Sequence, residues 1–140
     1  MMKLHPQSAT GWTIYALGAF ALVMGLLGLL SPSTQLSLMG FEPVETRQAG
    51  DYTIAVLVIT SLAAVNTATL YLVAAVRGWP GFVSWAVVAR LVMGTGLAVL
   101  AWTGVGPRAF VGAAIWEAIG AALIAGVAAC ERGRSVRRPS

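Results

Sequence analysis

The amino-acid sequence predicts an all-α fold, an integral membrane four-helix bundle. Of the 140 residues, 58% are hydrophobic and only 10% are charged, whereas soluble domains usually carry about 25% charged residues. The mean hydropathy is +0.81. A soluble fold of this length could not hide so much apolar surface, because small domains leave much of their surface in water.

Four long apolar runs predict the membrane spans, at residues 12–31, 52–76, 82–103 and 109–129. Each run reaches the ~20 residues that a helix needs to cross a hydrocarbon core about 30 Å thick. The runs lack the period-two alternation of barrel strands, so helices are expected. Residues 1–131 are predicted to form one transmembrane domain, and residues 132–140 a basic, mobile tail.

The connections between the spans predict an up-down-up-down topology. The segments RGWPG and TGVGP are short and rich in Gly and Pro, which favours antiparallel neighbours. The side with the termini holds six basic residues and the other side two, so both termini are predicted to be cytoplasmic. The two sets are Lys3, Arg77, Arg132, Arg134, Arg137 and Arg138, against Arg47 and Arg108. Trp12, Trp79 and Trp85 are expected at the inner interface.

The longest connection, residues 32–51, has its own pattern. Ser31-Pro32-Ser33 predicts the start of a short helix, since Pro fits the first helical turn. The following residues are too apolar for a solvated loop. We expect this segment to lie on the outer membrane interface or to tuck into the mouth of the bundle.

Two opposite charges lie inside the predicted spans, Arg90 in span 3 and Glu117 in span 4. A lone charge at the bilayer centre costs about 2.5–3.5 kcal/mol on insertion scales, so the two side chains are expected to face each other. Asn66 in span 2 reaches a similar depth. Small residues three and four positions from each charge would allow close helix approach. Span 1 carries a further packing stripe at seven-residue intervals, Gly11, Gly18 and Gly25.

The Arg90–Glu117 pair, with Asn66 nearby, has three interpretations, one of which is a role in proton-coupled transport. Arg90 and Glu117 could form a salt bridge that only fixes helix pairing, although buried pairs often add little net stability. Alternatively, Glu117 is a catalytic acid or base, and Arg90 tunes it or binds an oxyanion. The residues expected to bind a substrate are Asn66, Trp116, Tyr71 and Thr67.

Several function classes lack support in the sequence. No catalytic triad, phosphate-binding loop, dinucleotide fingerprint or metal-ligand cluster is present, so neither a cofactor nor a metal is expected. The single cysteine, Cys130, excludes an internal disulfide. The net charge of +4 is explained by basic residues flanking the spans, and no nucleic-acid partner is expected.

From span 1 onward the chain resembles the small four-span DoxX-like membrane proteins of bacteria. The matching segments are LLSPSTQLSLMGFEP, ETRQAGDYTIAVL, VARLVMG with its arginine and WEAIGAAL with its acid. The resemblance covers residues 12–129 and implies a multi-pass protein of the bacterial inner membrane. That group includes accessory subunits, so the resemblance implies little about activity.

We expect a small membrane enzyme that acts on a lipophilic metabolite without a cofactor. The chemistry would be isomerisation, cyclisation or epoxide opening. The alternatives are a non-catalytic accessory or scaffold subunit of a membrane complex and a proton-coupled transporter. Expected partners are a lipophilic small molecule, membrane lipid, and either further copies of the chain or another membrane protein.

Overall fold

The structure is a computed structural model that describes residues 5–42 and 50–136, with side chains described up to residue 134. It contains the helices α1 Ala9–Leu30, α2 Pro32–Leu38, α3 Thr53–Arg77, α4 Phe82–Trp102 and α5 Phe110–Val136. The 4 long helices α1, α3, α4 and α5 are apolar and long enough to cross a membrane. The predicted all-α class and the four predicted spans are therefore confirmed, and the chain is a multi-pass membrane protein.

Local chemistry sets the helix ends. The first turn of α1 satisfies its free N–H groups from two sources. Ser8 Oγ accepts from Gly11 N at 2.9 Å, while Glu131 of α5 accepts from Ala9 N at 2.5 Å and from Thr10 N at 3.3 Å. The Thr10 hydroxyl also donates to Glu131, at 2.5 Å. The end of α5 thus caps the start of α1.

The turn between α3 and α4 depends on two glycines in the left-handed region. Gly78 ends α3 with φ 61° and Gly81 precedes α4 with φ 75°. Residues with a Cβ rarely adopt these angles, so glycine permits the chain to reverse within four residues. This turn lies at the same end of the bundle as both termini, as the up-down-up-down topology requires.

The four long helices form a ring that is closed on three sides. α1 packs along α3, α5 packs along α4, and α1 also contacts α5. α3 and α4 do not pack along their lengths, although they are joined by the shortest turn. Near that turn the rings of Tyr71, Phe82 and Trp85 bridge the two helices.

The glycine stripe of α1, predicted from the sequence as a packing surface, faces α3. A Cβ placed on Gly18 would lie 2.8 Å from the Cβ of Tyr71, and one on Gly25 would lie 2.9 Å from Val65 Cγ2. Real side chains do not approach so closely. Glycine at these positions therefore lets the α1 and α3 backbones come together, as small residues do in membrane helix pairs.

The main cluster of buried apolar side chains lies in the half of the bundle that carries the termini. It contains residues of all four long helices, Ile14, Leu17, Tyr71, Ala74, Ala75, Phe82, Ala86 and Ile124. In the other half no residue between 95 and 119 is buried. The α4–α5 hairpin therefore extends beyond the core with little cover from α1 and α3.

The short helix α2 confirms the prediction for Ser31-Pro32-Ser33. Pro32 is in the first turn of α2, and Leu36 is buried against the end of α1 and α3. Beyond α2, the ring of Phe41 lies 5.9 Å from that of Phe110. The segment thus packs on the end of the bundle, while residues 43–49, including Arg47, lie outside the described part.

The last helix is longer than the sequence predicts. Span 4 is expected to end near residue 129 and a mobile tail to begin at 132, but α5 continues to Val136. The capping contact of Glu131 with α1 explains the extension, because it holds this turn of α5 against the bundle. Residues 137–140 lie outside the described part, as does Lys3, so cytoplasmic termini remain a prediction.

Gly18→Ala should destabilise the protein by about 1–3 kcal/mol, because the added Cβ overpacks the α1–α3 contact. Gly126→Ala is the matched control, since nothing lies within 4 Å of its Cβ position. That change should be neutral or stabilising through helix propensity. Thermal unfolding in detergent measures both. Equal effects of the two substitutions would contradict the glycine-mediated contact.

Glu131→Ala should lower the free energy of unfolding by roughly 0.5–2 kcal/mol, the usual cost of removing a helix N-cap. Glu42→Ala removes an exposed acid outside the helices and should have no effect. Hydrogen exchange should also quicken in the first turn of α1 in Glu131→Ala. Unchanged exchange in that turn would show that the cap contributes nothing.

Candidate functional site

The predicted ion pair exists, and it connects α4 with α5. Arg90 Nη1 donates to Glu117 Oε2 at 3.0 Å, and the two side chains are 8% and 21% exposed. Glycines make room for it. A Cβ on Gly94 would lie 3.1 Å from Glu117 Cβ, and one on Gly120 would meet the Arg90 guanidinium. The small neighbours noted in the sequence therefore bring the two helices close enough to pair the charges.

Arg90 also reaches α3. Its Cζ lies 5.6 Å from the centroid of the Tyr71 ring, within the range of a cation–π contact. Its Nε–H is buried and has no hydrogen-bond partner in the described part of the chain. A buried donor without a partner costs about 1–3 kcal/mol. Arg90 is therefore held by two helices and still has unused hydrogen-bonding capacity.

A cleft lies along the open side of the ring, between α3 and α4, and ends on the ion pair. Its volume is about 420 Å³. Its lining combines small apolar residues with a few polar and aromatic ones, Ala21, Thr60, Ala63, Ala64, Thr67, Ala68, Tyr71, Trp85, Ala89, Arg90, Met93 and Glu117. All four long helices contribute to it, and Glu117 reaches it from the far side of the ring.

Aromatic rings close the cleft toward the end that carries the termini. The centroids of Tyr71 and Phe82 are 5.2 Å apart, those of Tyr71 and Trp85 are 6.0 Å apart, and those of Phe82 and Trp85 are 5.1 Å apart. The edge-on arrangements of Tyr71 with both neighbours are favoured by ring quadrupoles. The cleft thus has a rigid floor, a charged back wall and an open side toward the membrane.

A second hollow follows the seam between α4 and α5 and also reaches Arg90. It measures about 640 Å³ and is lined mainly by small and aliphatic residues, with Thr95 and Trp102. Glu117 does not line it. Although this groove is larger, only the α3–α4 cleft exposes both partners of the ion pair, so we place the candidate site there.

The cleft brings together four of the six residues predicted for the site. Arg90, Glu117, Tyr71 and Thr67 line it. Asn66 does not, because it is exposed on the outer face of α3. Trp116 does not line it either. Its ring packs 5.0 Å from that of Phe20 of α1, outside the cleft.

Three lining residues of α4 escaped the sequence reasoning, Trp85, Ala89 and Met93. They follow one another at four-residue spacing, which places them on one helix face. Trp85 is expected at the membrane interface, and its ring also forms part of the cleft wall. Met93 lies three residues from Arg90, so helix geometry already indicated that the two share a face. The sequence does not show that this face of α4 is directed toward α3.

The chemistry of the site is limited to its acid, its guanidinium and its hydroxyl groups. Among residues 5–42 and 50–136, no three His, Cys, Asp or Glu side chains cluster as a metal site requires. The pair can move a proton at Glu117 and stabilise negative charge at Arg90. Thr67 and Tyr71 supply hydroxyl groups along the cleft.

Comparison with known proteins does not add to this description. No model of a known protein family matches the chain, no curated protein is significantly similar in sequence, and no solved structure matches its fold. The resemblance to DoxX-like proteins therefore stays a prediction, and the site geometry carries the functional argument.

A double-mutant cycle on Arg90→Leu and Glu117→Leu should show strong coupling. Each single change leaves one buried charge without its partner and should cost about 3–5 kcal/mol, whereas the double change replaces the pair by apolar side chains and should recover most of that loss. Unfolding in detergent measures the cycle. Additive losses would mean that the two charges do not depend on each other.

Proposed function

We propose that the protein is a membrane enzyme that performs cofactor-independent acid–base chemistry on a lipophilic metabolite bound in the α3–α4 cleft. One observation carries the proposal. The ring of helices is open on one side, and the opening leads to a partly buried acid paired with a buried arginine. A pair that only locked helices together would need no such access.

The lining favours an apolar substrate that arrives from the bilayer. Alanines dominate the walls, and the volume of about 420 Å³ lies within the range of small-molecule pockets, roughly 300–1,000 Å³. The opening faces sideways between two membrane-spanning helices, where lipid surrounds the protein. A molecule dissolved in the hydrocarbon core can therefore enter without first crossing water.

The proposed roles of Glu117 and Arg90 follow from their positions at the cleft and from their charges. As a base, the Glu117 carboxylate takes a proton from a carbon next to a carbonyl group. As an acid, protonated Glu117 gives its proton either to an alkene, whose cation then loses a proton from a neighbouring carbon back to Glu117, or to an epoxide oxygen while water attacks an epoxide carbon and releases the proton that restores Glu117. Arg90 lines the cleft beside Glu117, and its guanidinium stabilises the negative charge that develops on the substrate oxygen. When the proton returns at a second carbon, the substrate is isomerised and Glu117 recovers its starting state.

The alternatives make different demands on the same geometry. A transporter needs a route to both sides of the membrane, but the rings of Tyr71, Phe82 and Trp85 close the cleft toward the termini. An accessory subunit needs no cleft at all. The open cleft on the ion pair favours catalysis over both.

The test uses isotopically labelled water. The protein, reconstituted in lipid vesicles, is incubated with a lipophilic membrane extract in D₂O and separately in H₂¹⁸O, and mass spectrometry identifies molecules that gain label only when protein is present. Proton transfer to carbon introduces deuterium, and hydrolytic epoxide opening introduces ¹⁸O. Glu117→Gln should slow labelling by about a hundredfold or more, since general acid–base catalysis contributes on that scale.

The matched control is Glu131→Gln, which changes an acid on the same helix outside the cleft and should keep full labelling. Ala64→Phe fills the cleft and should abolish labelling without touching the ion pair. Full labelling by Glu117→Gln, or by Ala64→Phe, would rule out the proposed site. Accumulation of an unlabelled, chemically unchanged molecule inside sealed vesicles only when the protein is present would support transport instead.

A further inference from the structure

The outer face of α3 carries a heptad stripe. Its residues alternate at spacings of four and three, Ala55, Ile59, Leu62, Asn66, Thr69 and Val73. All six are exposed. The stripe points away from both neighbours of α3, because the residues that contact α1 and those that line the cleft occupy other faces of the helix.

Asn66 lies near the centre of this stripe and near the middle of the 25-residue helix α3. Its nearest stripe neighbours are Leu62 and Thr69. The Thr69 hydroxyl donates to the backbone oxygen of Val65 at 2.9 Å, so its hydrogen bond is made within α3. Asn66 has no side-chain hydrogen bond to any other described residue, and its carboxamide faces the hydrocarbon core at membrane depth.

Polar side chains inside membranes face protein or water-filled cavities rather than lipid. A carboxamide has two N–H donors and an acceptor oxygen, so it is complementary to a second copy of itself. Two Asn66 side chains related by a two-fold axis can exchange N–H···O bonds in both directions. No cation or anion on this face calls for a partner of opposite charge.

We propose that two copies of the chain associate through the outer faces of α3, with the Asn66 side chains hydrogen-bonded across the two-fold axis. Both copies insert in the same orientation, so the axis is parallel to the membrane normal and the two helices run parallel. In heptad notation (abcdefg), Ile59, Asn66 and Val73 then occupy equivalent a positions, and Leu62 occupies a d position. In parallel coiled coils, β-branched residues at a with Leu at d favour dimers, and a single Asn at an a position fixes the register.

The exposed stripe of α4 provides an internal comparison. Val88, Val92, Thr95 and Val99 follow the same spacing and are also exposed, but this stripe has no carboxamide. Lipid can cover it without leaving an amide unsatisfied. The dimer through α3 leaves the cleft open to lipid in both copies, so it does not depend on the proposed catalytic activity.

Cysteine cross-linking in lipid vesicles tests the interface. In a Cys130→Ser background, Leu62→Cys and Val73→Cys should each form a disulfide-linked dimer on mild oxidation, because facing positions of a parallel pair bring Cβ atoms within disulfide range. Val92→Cys on α4 is the control and should stay monomeric. Cross-linking at Val92→Cys but not at the α3 positions would overturn the proposal.

The role of the amide is tested separately. Energy transfer between donor-labelled and acceptor-labelled copies is measured while the protein is diluted into lipid. The dilution curve gives the affinity of the dimer. Asn66→Leu should weaken the dimer about five- to thirtyfold, as expected for an interhelical carboxamide contact in membranes. Asn66→Gln keeps the donors and acceptor and should retain most of the affinity. Equal affinity of Asn66→Leu and the unchanged protein, or a protein that stays monomeric at high density, would refute the interface.

Discussion

The ion pair between Arg90 and Glu117 sets the rotation of α4 and α5 about their own axes. Neither charge is tolerated in hydrocarbon without a partner, at a cost of about 2.5–3.5 kcal/mol each on insertion scales, so both must face the seam between the helices. That orientation directs Gly94 and Gly120 toward the same seam, where they leave space for the pair. The contact of Arg90 with Tyr71 then connects the α4–α5 hairpin to α3.

One half of the bundle contains most of the buried packing, and the other half leaves the ion pair accessible from the membrane. In the half with the termini, Ile124 and Ala86 are fully buried, and Glu131 ties α5 to α1. The rest of α4 and α5 is therefore free to stay apart from α3, which leaves the ion pair reachable from the membrane. A core that ran the full length of the bundle would have sealed it.

The sequence was sufficient to predict the features that depend on composition and depth. Spans, the short helix after Ser31 and the Arg90–Glu117 pairing follow from hydropathy, Pro placement and the cost of buried charge. Features that depend on the rotation of a helix about its own axis were not predictable, because a helix that is apolar all round has no polar face to distinguish its lipid-facing side from its buried side. Trp116 and Asn66 have the depth of the site but point away from the cleft, while Trp85 turns into it. The cap by Glu131 depends on a contact across more than a hundred residues.

Asn66 and Thr67 are neighbours in sequence but lie in different surroundings. Successive residues of an α-helix are about 100° apart, given 3.6 residues per turn, so Thr67 lines the cleft while Asn66 lies outside it. The energetics of their settings differ as well. A full charge must find its partner within the same copy, because leaving it unpaired in lipid costs more than a membrane helix contact usually returns. A neutral amide is less costly, typically about 1–2 kcal/mol per interhelical contact in model peptides. A neutral amide can therefore lie on the outer surface of the ring, whereas the charges must lie inside it.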